Sequence, residues 1–130
     1  MEINNNNQVI VALGGNLGDS QQTLASAVES LTAKSGIELV RCSSWYRTPP
    51  VAPPQPDYCN GCIWLSCRGL TPRQLLQYLQ RIELEYGRER HERWGARTLD
   101  LDIIFFGDQI IDEDDLTIPH PRMQERAFVL

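Results

Sequence analysis

Two aspartates separated by one residue stand inside the most apolar stretch of the chain. The run from Thr98 to Phe106 reads Thr-Leu-Asp-Leu-Asp-Ile-Ile-Phe-Phe, and its β-branched and aromatic content is typical of a buried strand. Because a strand turns alternate side chains to opposite faces, Asp100 and Asp102 are expected on one face, with Cα atoms roughly 6–7 Å apart. By the same alternation Ile104 and Phe106 continue that face, which predicts that it is partly buried. Two carboxylates so close repel each other in a low-dielectric setting, so the pair predicts a Mg²⁺ site completed by substrate phosphates.

The segment directly before this strand is rich in arginine. Residues 87–97 read Gly-Arg-Glu-Arg-His-Glu-Arg-Trp-Gly-Ala-Arg, with four arginines and two glutamates. Planar guanidinium groups suit bidentate phosphate contacts, so Arg93 and Arg97 are predicted phosphate ligands and Arg90 has a supporting role. A solvated charged loop is the alternative. Because the arginine-rich segment directly precedes the paired aspartates, phosphate binding is favoured over a solvated loop.

Composition limits the class of protein. The chain has 130 residues, 42% of them hydrophobic, which fits a single domain with one core. We expect residues 1–7 to be a flexible N-terminus and residues 8–130 to form the domain. The net charge of −5 makes nucleic acid or an anionic membrane an unsuitable partner for the whole surface. Neither a membrane-spanning apolar run nor a signal peptide is recognisable, so a cytoplasmic location is expected.

The four cysteines include a C-x-x-C pair, Cys59 and Cys62, which raises the alternative of a zinc site. The surrounding residues read as a strand, which sends these two side chains to opposite faces. No second pair or matching histidines follow. Buried, reduced thiols are therefore the interpretation we favour.

The pattern of elements predicts a ferredoxin-like fold. A capped helix start is read at Thr71, with Pro72 at its first position and Gln74 at its third. The predicted order is strand 8–13, a helix from Asp19 or Ser20 with Leu24, Ala27, Val28 and Leu31 inward, strand 37–48, strand 57–68, the helix from Thr71 with Leu75, Leu76, Leu79, Ile82 and Tyr86 inward, the aspartate strand, and a short hairpin around residues 109–111. This is an α+β, βαββαβ plan with an antiparallel sheet, helices on one face, and a short C-terminal hairpin or helix addition. Such a fold alone implies no function.

Six blocks of sequence carry a resemblance to a known family. In order they are Ala-Leu-Gly-Gly-Asn-Leu-Gly (12–18), Ser-Ser-Trp-Tyr-Arg-Thr-Pro-Pro (43–50), Gln-Pro-Asp-Tyr-Cys-Asn (55–60), Gln-Arg-Ile-Glu (80–83), Arg-Trp-Gly-Ala-Arg-Thr-Leu-Asp-Leu-Asp (93–102), and Leu-Thr-Ile-Pro-His-Pro with Glu-Arg-Ala-Phe (116–121 and 125–128). The chain resembles the 6-hydroxymethyl-7,8-dihydropterin pyrophosphokinases of folate biosynthesis over nearly its whole length.

The resemblance implies a reaction and a set of site residues. The expected reaction is Mg²⁺-dependent transfer of pyrophosphate from ATP to the hydroxymethyl group of the dihydropterin, with release of AMP and with two Mg²⁺ ions. The expected catalytic residues are Arg93, Arg97, Asp100 and Asp102, the two aspartates being the metal ligands. The expected ATP contacts are Gln80, Glu83, Arg90, Trp94, Ile103, Thr117, His120 and Arg126. The expected pterin contacts are Thr48, Pro49, Val51, Tyr58, Asn60, Trp94 and Phe128.

Several of these residues have alternative interpretations. Gln80 and Glu83 could form a polar outer helix face, Trp94 could be packing, and Tyr58 and Phe128 could be core. His120 between two prolines suggests a general base, but an ATP contact is preferred because phosphoryl transfer depends mostly on positioning and electrostatics.

The chain also departs from the family pattern. It stops at Leu130, where the pattern continues, so the domain is expected to be truncated at its C-terminal end. The proline-rich and arginine-rich loops are slightly shorter than in the family. A ferredoxin-like binding or regulatory module and one domain of a multifunctional folate enzyme are the alternative functions; the former has no need of an Asp-x-Asp pair beside arginines. A monomer is expected.

Overall fold

The computed structural model of this chain describes residues 6–15, 20–48, 58–86 and 99–119. Seven strands and two helices lie within them. In chain order they are β1 (Asn6–Gly15), α1 (Ser20–Thr32), β2 (Ile37–Cys42), β3 (Tyr46–Thr48), β4 (Tyr58–Arg68), α2 (Pro72–Glu85), β5 (Asp100–Phe106), β6 (Ile111–Glu113) and β7 (Leu116–Ile118). The first strand begins two residues before its predicted start, because Asn6 and Asn7 pair with β4.

The main sheet has the strand order β2-β4-β1-β5, with β3 beside β4, and every pairing is antiparallel. The connection from β1 through α1 to β2 steps over β4, and α2 leads from β4 to β5 on the far side of β1. Both helices pack against the same core cluster and contact each other. The ferredoxin-like prediction, with its antiparallel sheet and helices on one face, is confirmed.

The core lies between the helices and one face of the sheet. Strand β4 alternates along its length, so that Ile63, Leu65 and Cys67 are buried while Trp64 between them is exposed. On β1, Val9 and Val11 point to the same core. Each fully buried aliphatic side chain contributes about 1.5–3 kcal/mol relative to exposure. The period of two therefore commits one face of the sheet to packing and leaves the other for polar groups.

The two helices follow their sequence signals. All four predicted inward residues of α1 are buried. Helix α2 has the predicted capping box, in which the Gln74 backbone N–H donates to Thr71 Oγ1 at 3.1 Å and the Thr71 N–H donates to Gln74 Oε1 at 2.9 Å. Such a cap contributes about 1 kcal/mol. Among the described residues no helix combines the length and the apolar character that crossing a bilayer requires.

The predicted single strand over 37–48 is wrong, because the structure divides it into β2 and β3. At the break Ser43 keeps contact with β4 in a different way: its N–H donates to the Cys62 carbonyl, and its Oγ accepts from the Cys62 N–H at 2.9 Å. Trp45 then lies across Gly61, where a Cβ would collide with the indole ring. A side-chain hydrogen bond and a packed ring thus replace regular pairing for three residues.

The predicted position of the hairpin is also wrong. Strands β6 and β7 form a separate two-stranded sheet whose turn is at Asp114 and Asp115, several residues beyond the predicted Gln109–Ile111. Leu116 and Ile118 are buried in the core. These two side chains lie outside the predicted core, and their burial sets where the hairpin forms.

Candidate functional site

Asp100 and Asp102 lie on β5, the edge strand of the sheet as described. They pair with Gly14 and Ala12 of β1. Directly paired residues in an antiparallel ladder share a face, and Leu101 between the aspartates belongs to the helix-side core. Both carboxylates therefore occupy the face away from the helices, as the alternation predicted, and both are half-buried.

The prediction that Phe106 continues the face of the aspartates is wrong. The pairing of β1 with β5 shifts register between Ile10 and Val11, which leaves Ile104 as an extra residue in β5. A bulge of this kind changes the alternation of the strand. Phe106 consequently pairs with Val9 and is fully buried in the helix-side core, whereas Ile104 is fully buried outside that cluster.

A buried glutamate holds the backbone between the two aspartates. Glu83 of α2 is 4% exposed, and its Oε2 accepts a hydrogen bond from the Leu101 N–H at 2.8 Å. Burying a carboxylate is costly unless hydrogen bonds compensate it. The bond therefore fixes α2 to the Asp-x-Asp segment. Gln80, expected on the same helix face, is exposed instead.

A cavity of about 230 Å³ opens at the outer edge of β5. Three residues with predicted ATP-side or metal roles, Asp102, Ile103 and Thr117, line it together. The remaining walls come from α2, β5 and the β6–β7 hairpin, namely Leu76, Leu101, Asp114, Asp115 and Leu116. The cavity thus combines apolar walls with three carboxylates, that of Asp102 on the sheet and those of Asp114 and Asp115 on the hairpin. Apolar surface beside a few polar groups suits a flat heterocycle.

Asn60 lies on the other side of β1 from the aspartates. Asn60 and Asp100 both pair with Gly14, so the three residues form one row across the sheet. Because neighbouring strands are about 4.8 Å apart, the backbones of Asn60 and Asp100 are separated by roughly 10 Å. A Cβ at Gly14 would meet Asn60 Oδ1 at 2.9 Å, so the glycine makes room for the amide.

The structure brings only part of the predicted site together. Thr48 and Tyr58 face each other at the end of the β3–β4 ladder, two residues from Asn60 along β4. The other predicted residues lie outside the described ranges: Pro49, Val51, Arg90, Arg93, Trp94, Arg97, His120, Arg126 and Phe128.

Sequence reasoning missed two contributors to this geometry. Gly14 lies beyond the predicted end of the first strand at residue 13, yet it is part of β1 and lies between the two halves of the site. The second is the hydrogen bond from the Leu101 N–H to Glu83. The sequence feature that could have indicated it is the position of Glu83, one residue after the inward Ile82 of an amphipathic helix. Neither feature follows from periodicity alone, because each depends on which strands become neighbours.

The cysteines and other potential ligands are distributed through the sheet. Cys59 and Cys62 point to opposite faces of β4, as predicted. Cys59 and Cys67 are buried, but the expectation of burial is wrong for the exposed Cys42. Within residues 6–15, 20–48, 58–86 and 99–119, no three His, Cys, Asp or Glu side chains are grouped for metal binding.

The family match and the similar proteins agree with each other. Residues 10–130 match the family 7,8-dihydro-6-hydroxymethylpterin-pyrophosphokinase (HPPK). Proteins named 2-amino-4-hydroxy-6-hydroxymethyldihydropteridine pyrophosphokinase are similar to this chain: one from Synechocystis is 54% identical over 93% of this chain and 62% of its own length. One from Haemophilus influenzae is 46% identical over 92% of this chain and 75% of its own length.

Two further comparisons differ in extent. The mitochondrial folate synthesis bifunctional protein of Pisum sativum is 40% identical over 95% of this chain, which corresponds to 24% of that protein. A solution structure of the C-terminal domain of MgtC from Mycobacterium tuberculosis superposes with a TM-score of 0.46 at 14% identity, covering 79% of this chain and 93% of that one. The match to the pea protein therefore involves a fraction of a longer chain.

Proposed function

This chain belongs to the 7,8-dihydro-6-hydroxymethylpterin-pyrophosphokinase family, and we propose on that basis that it transfers pyrophosphate from ATP to 6-hydroxymethyl-7,8-dihydropterin. In this reaction the pterin hydroxymethyl oxygen attacks the β-phosphorus and loses its proton, the bond from the β-phosphorus to the oxygen that bridges it to the α-phosphorus breaks, and AMP leaves with that oxygen. The observation that supports this assignment is the row Asp100–Gly14–Asn60, with the cavity at one end and a predicted pterin contact at the other.

The cavity at the edge of β5 is the proposed nucleotide end. Leu76 and Ile103 supply apolar surface for a purine, and Asp102 lies at its border with the sheet. A nucleotide placed there directs its phosphates toward the aspartates. Thr117, His120 and Arg126 are the proposed further contacts on this side, and Thr117 lines the cavity.

Asp100 and Asp102 are the proposed ligands of two Mg²⁺ ions. Carboxylate pairs that leave coordination positions for phosphate oxygens are the usual Mg²⁺ arrangement at phosphate sites. When bound, the metal neutralises charge on the transferred group and aligns it for displacement. The half-buried setting of both side chains fits this role, because burial strengthens their interaction with a cation.

Glu83 is a proposed positioning residue, which revises its expected role as a direct ATP contact. Its carboxylate accepts from the Leu101 N–H in the middle of the Asp-x-Asp segment. Within the described ranges no strand pairs with the outer edge of β5, so Glu83 takes the place of a neighbouring strand at this N–H. Glu83 therefore fixes the backbone between the two proposed metal ligands. Of Gln80 and Glu83, the exposed Gln80 is the one that a nucleotide can reach.

The proposed pterin end is at Asn60. Its amide carries a donor and an acceptor that match the amino-pyrimidinone edge of the pterin, and the residue is half-buried. Tyr58 and Phe128 are the proposed stacking partners, and the backbone at Thr48, Pro49 and Val51 is proposed to line the same end. The roughly 10 Å between Asn60 and Asp100 allows the hydroxymethyl group to extend toward the phosphates.

The arginine-rich segment is proposed to supply the remaining charge. Arg93 and Arg97 are assigned to the transferred phosphates, Arg90 supports them, and Trp94 covers both substrates so that water is excluded.

We further propose that residues 8–130 act as one domain, that this domain is a cytoplasmic monomer, and that nucleic acid is not a partner. The net charge of −5 supports the last point.

Product analysis tests the proposed function. The purified chain is incubated with ATP, Mg²⁺ and the dihydropterin, and nucleotides and pterins are separated by chromatography. AMP and pterin diphosphate should form in equal amounts, and EDTA should abolish both. Release of ADP would reject pyrophosphate transfer, while binding of both substrates without any product would favour a binding module.

A further inference from the structure

The end of β6 and the turn that follows it carry four consecutive acidic residues, Asp112 to Asp115. All four are exposed, and Asp114 and Asp115 line the same cavity as Asp102. A polyphosphate that enters beside them meets like charge. The hairpin is thus both a wall of the proposed nucleotide cavity and a source of repulsion unless a cation offsets it.

Arg73 of α2 is the cation that meets this turn. Its Nη1 donates to Asp115 Oδ2 at 2.6 Å, and its Nη2 donates to Glu113 Oε2 at 2.5 Å. One guanidinium therefore bridges residues on both sides of Asp114. The hydrogen bond from Arg73 is the main cause that lowers the pKa of the Asp115 carboxyl.

The position of Arg73 within its helix is unfavourable on local grounds. It lies in the first turn of α2, where the helix dipole disfavours a cation, and that turn contains no acidic residue. Glu113 and Asp115 bring negative charge to this helix end from the hairpin. The arginine is thus better explained by its contacts across the molecule than by the stability of α2 itself.

The hairpin has little to hold its turn in place. Its strands are three residues each, and isolated two-stranded sheets are marginally stable. Leu116 and Ile118 anchor β7 in the core. Among the described residues, the ion pairs of Arg73 are the side-chain hydrogen bonds that join the turn to the rest of the fold.

We infer that Arg73 is a positioning residue for the nucleotide. It holds the β6–β7 turn as a wall of the cavity and offsets the charge of Glu113 and of Asp115, which lines that cavity. This inference rests on the proposed function for the identity of the ligand, but the tie between α2 and the hairpin exists without it. Arg73 contacts the hairpin and acts on ATP through it.

Two measurements on Arg73→Ala test the inference. In the protein without nucleotide, amide exchange at residues 114–116 should accelerate roughly three- to tenfold, because a bidentate surface network is lost. The dissociation constant of Mg²⁺ and α,β-methylene-ATP, measured by calorimetry, should rise by a similar factor of roughly three to ten. In steady state the KM for ATP should rise while kcat and the KM for pterin stay unchanged.

Two variants serve as comparisons. Arg73→Lys keeps the charge but reaches one carboxylate, so it should give an intermediate effect on both measurements. Arg81→Ala removes the same charge from an exposed position of α2 and should change neither. Unchanged amide exchange in Arg73→Ala would overturn the inference whether or not ATP binds, as would equal weakening by Arg73→Ala and Arg81→Ala. Failure of the wild type to bind the analogue would instead contradict the proposed function.

Discussion

The two faces of the central sheet differ although the same strands build both. On the helix side, residues such as Val11, Leu65 and Phe106 are fully buried and apolar. On the other side the row Asp100–Gly14–Asn60 is polar or without a side chain, and both Asp100 and Asn60 are half-buried. Adjacent residues of one strand point to opposite faces. A residue that stabilises the core can therefore lie directly next to a residue of the proposed ligand site.

A small domain can thus place charged groups without disturbing its core. Leu101 packs into the core while the aspartates on either side of it face away. Among the residues that the structure describes, Glu83 is the carboxylate that is buried in the helix-side layer, and it accepts a hydrogen bond from the Leu101 N–H. Substitutions on the two faces should therefore produce separable effects on folding and on activity.

The largest expected effect comes from the polar face. Asp100→Ala or Asp102→Ala should reduce kcat by several orders of magnitude, because loss of a metal ligand removes several kcal/mol of transition-state stabilisation. Thermal unfolding should change little, since one member of a like-charge pair is removed. Asp108→Ala, an exposed aspartate beyond the end of β5, is the matched control and should retain activity. Near-normal turnover in either site variant would refute the metal assignment.

The next effect comes from the core face and falls on stability. Leu65→Ala should lower the free energy of unfolding by about 2–5 kcal/mol, because it leaves a cavity at a fully buried position. Its neighbour on the other face, Ser66→Ala, should change the free energy of unfolding by less than about 0.5 kcal/mol. Urea titrations of both variants measure this difference. Equal destabilisation by the two would remove the contrast between the faces.

A smaller effect is expected where the two halves of the polar face meet. Gly14→Ala places a methyl group 2.9 Å from Asn60 Oδ1, so the amide must move. The dissociation constant of the pterin should rise by roughly five- to thirtyfold, as for loss of one or two hydrogen bonds, while that of ATP should stay constant. In an Asn60→Ala background the same substitution should add nothing. If the losses of pterin affinity in Gly14→Ala and Asn60→Ala were instead additive in the double variant, Gly14 would act through another group.

The smallest effect concerns alkaline stability. Burial in the core face raises the pKa of the Cys67 thiol to about 11. Because the thiol is more acidic when unfolded, with its ordinary pKa of 9.0, its contribution to stability is fully present below pH 9 and is lost as the pH rises toward 11. The loss should be about 1 kcal/mol by pH 10. Comparison of denaturation at pH 8 and pH 10 should show a shallower decline for Cys67→Ala, and an identical decline would contradict this origin.

The sequence predicted the elements and the face of the aspartates because both depend on local periodicity. Helix α2 is the best case, since Thr71 and Gln74 specify its start by bonds within four residues. The bulge at Ile104 was not predictable, because it depends on how β5 pairs with β1. The break at Ser43 likewise depends on the partner Cys62 in β4.

The site was predictable in part for the same reason. The Asp-x-Asp spacing is local, and the resemblance supplied Ile103 and Thr117, which the structure brings to one cavity with Asp102. The contributions of Gly14, Glu83 and Arg73 arise from contacts between elements distant in sequence. No single-strand or single-helix pattern contains them.

Paramagnetic broadening by Mn²⁺ tests most directly whether the polar face binds the metal. Mn²⁺ is added with α,β-methylene-ATP to isotope-labelled protein, and amide signals are followed by NMR. The account predicts the strongest broadening at Asp100, Leu101 and Asp102, with weaker broadening at Gly14 and none at Ala27 on α1. Strongest broadening at the acidic residues 112–115, with the Asp100–Asp102 signals unaffected, would contradict metal binding by the polar face.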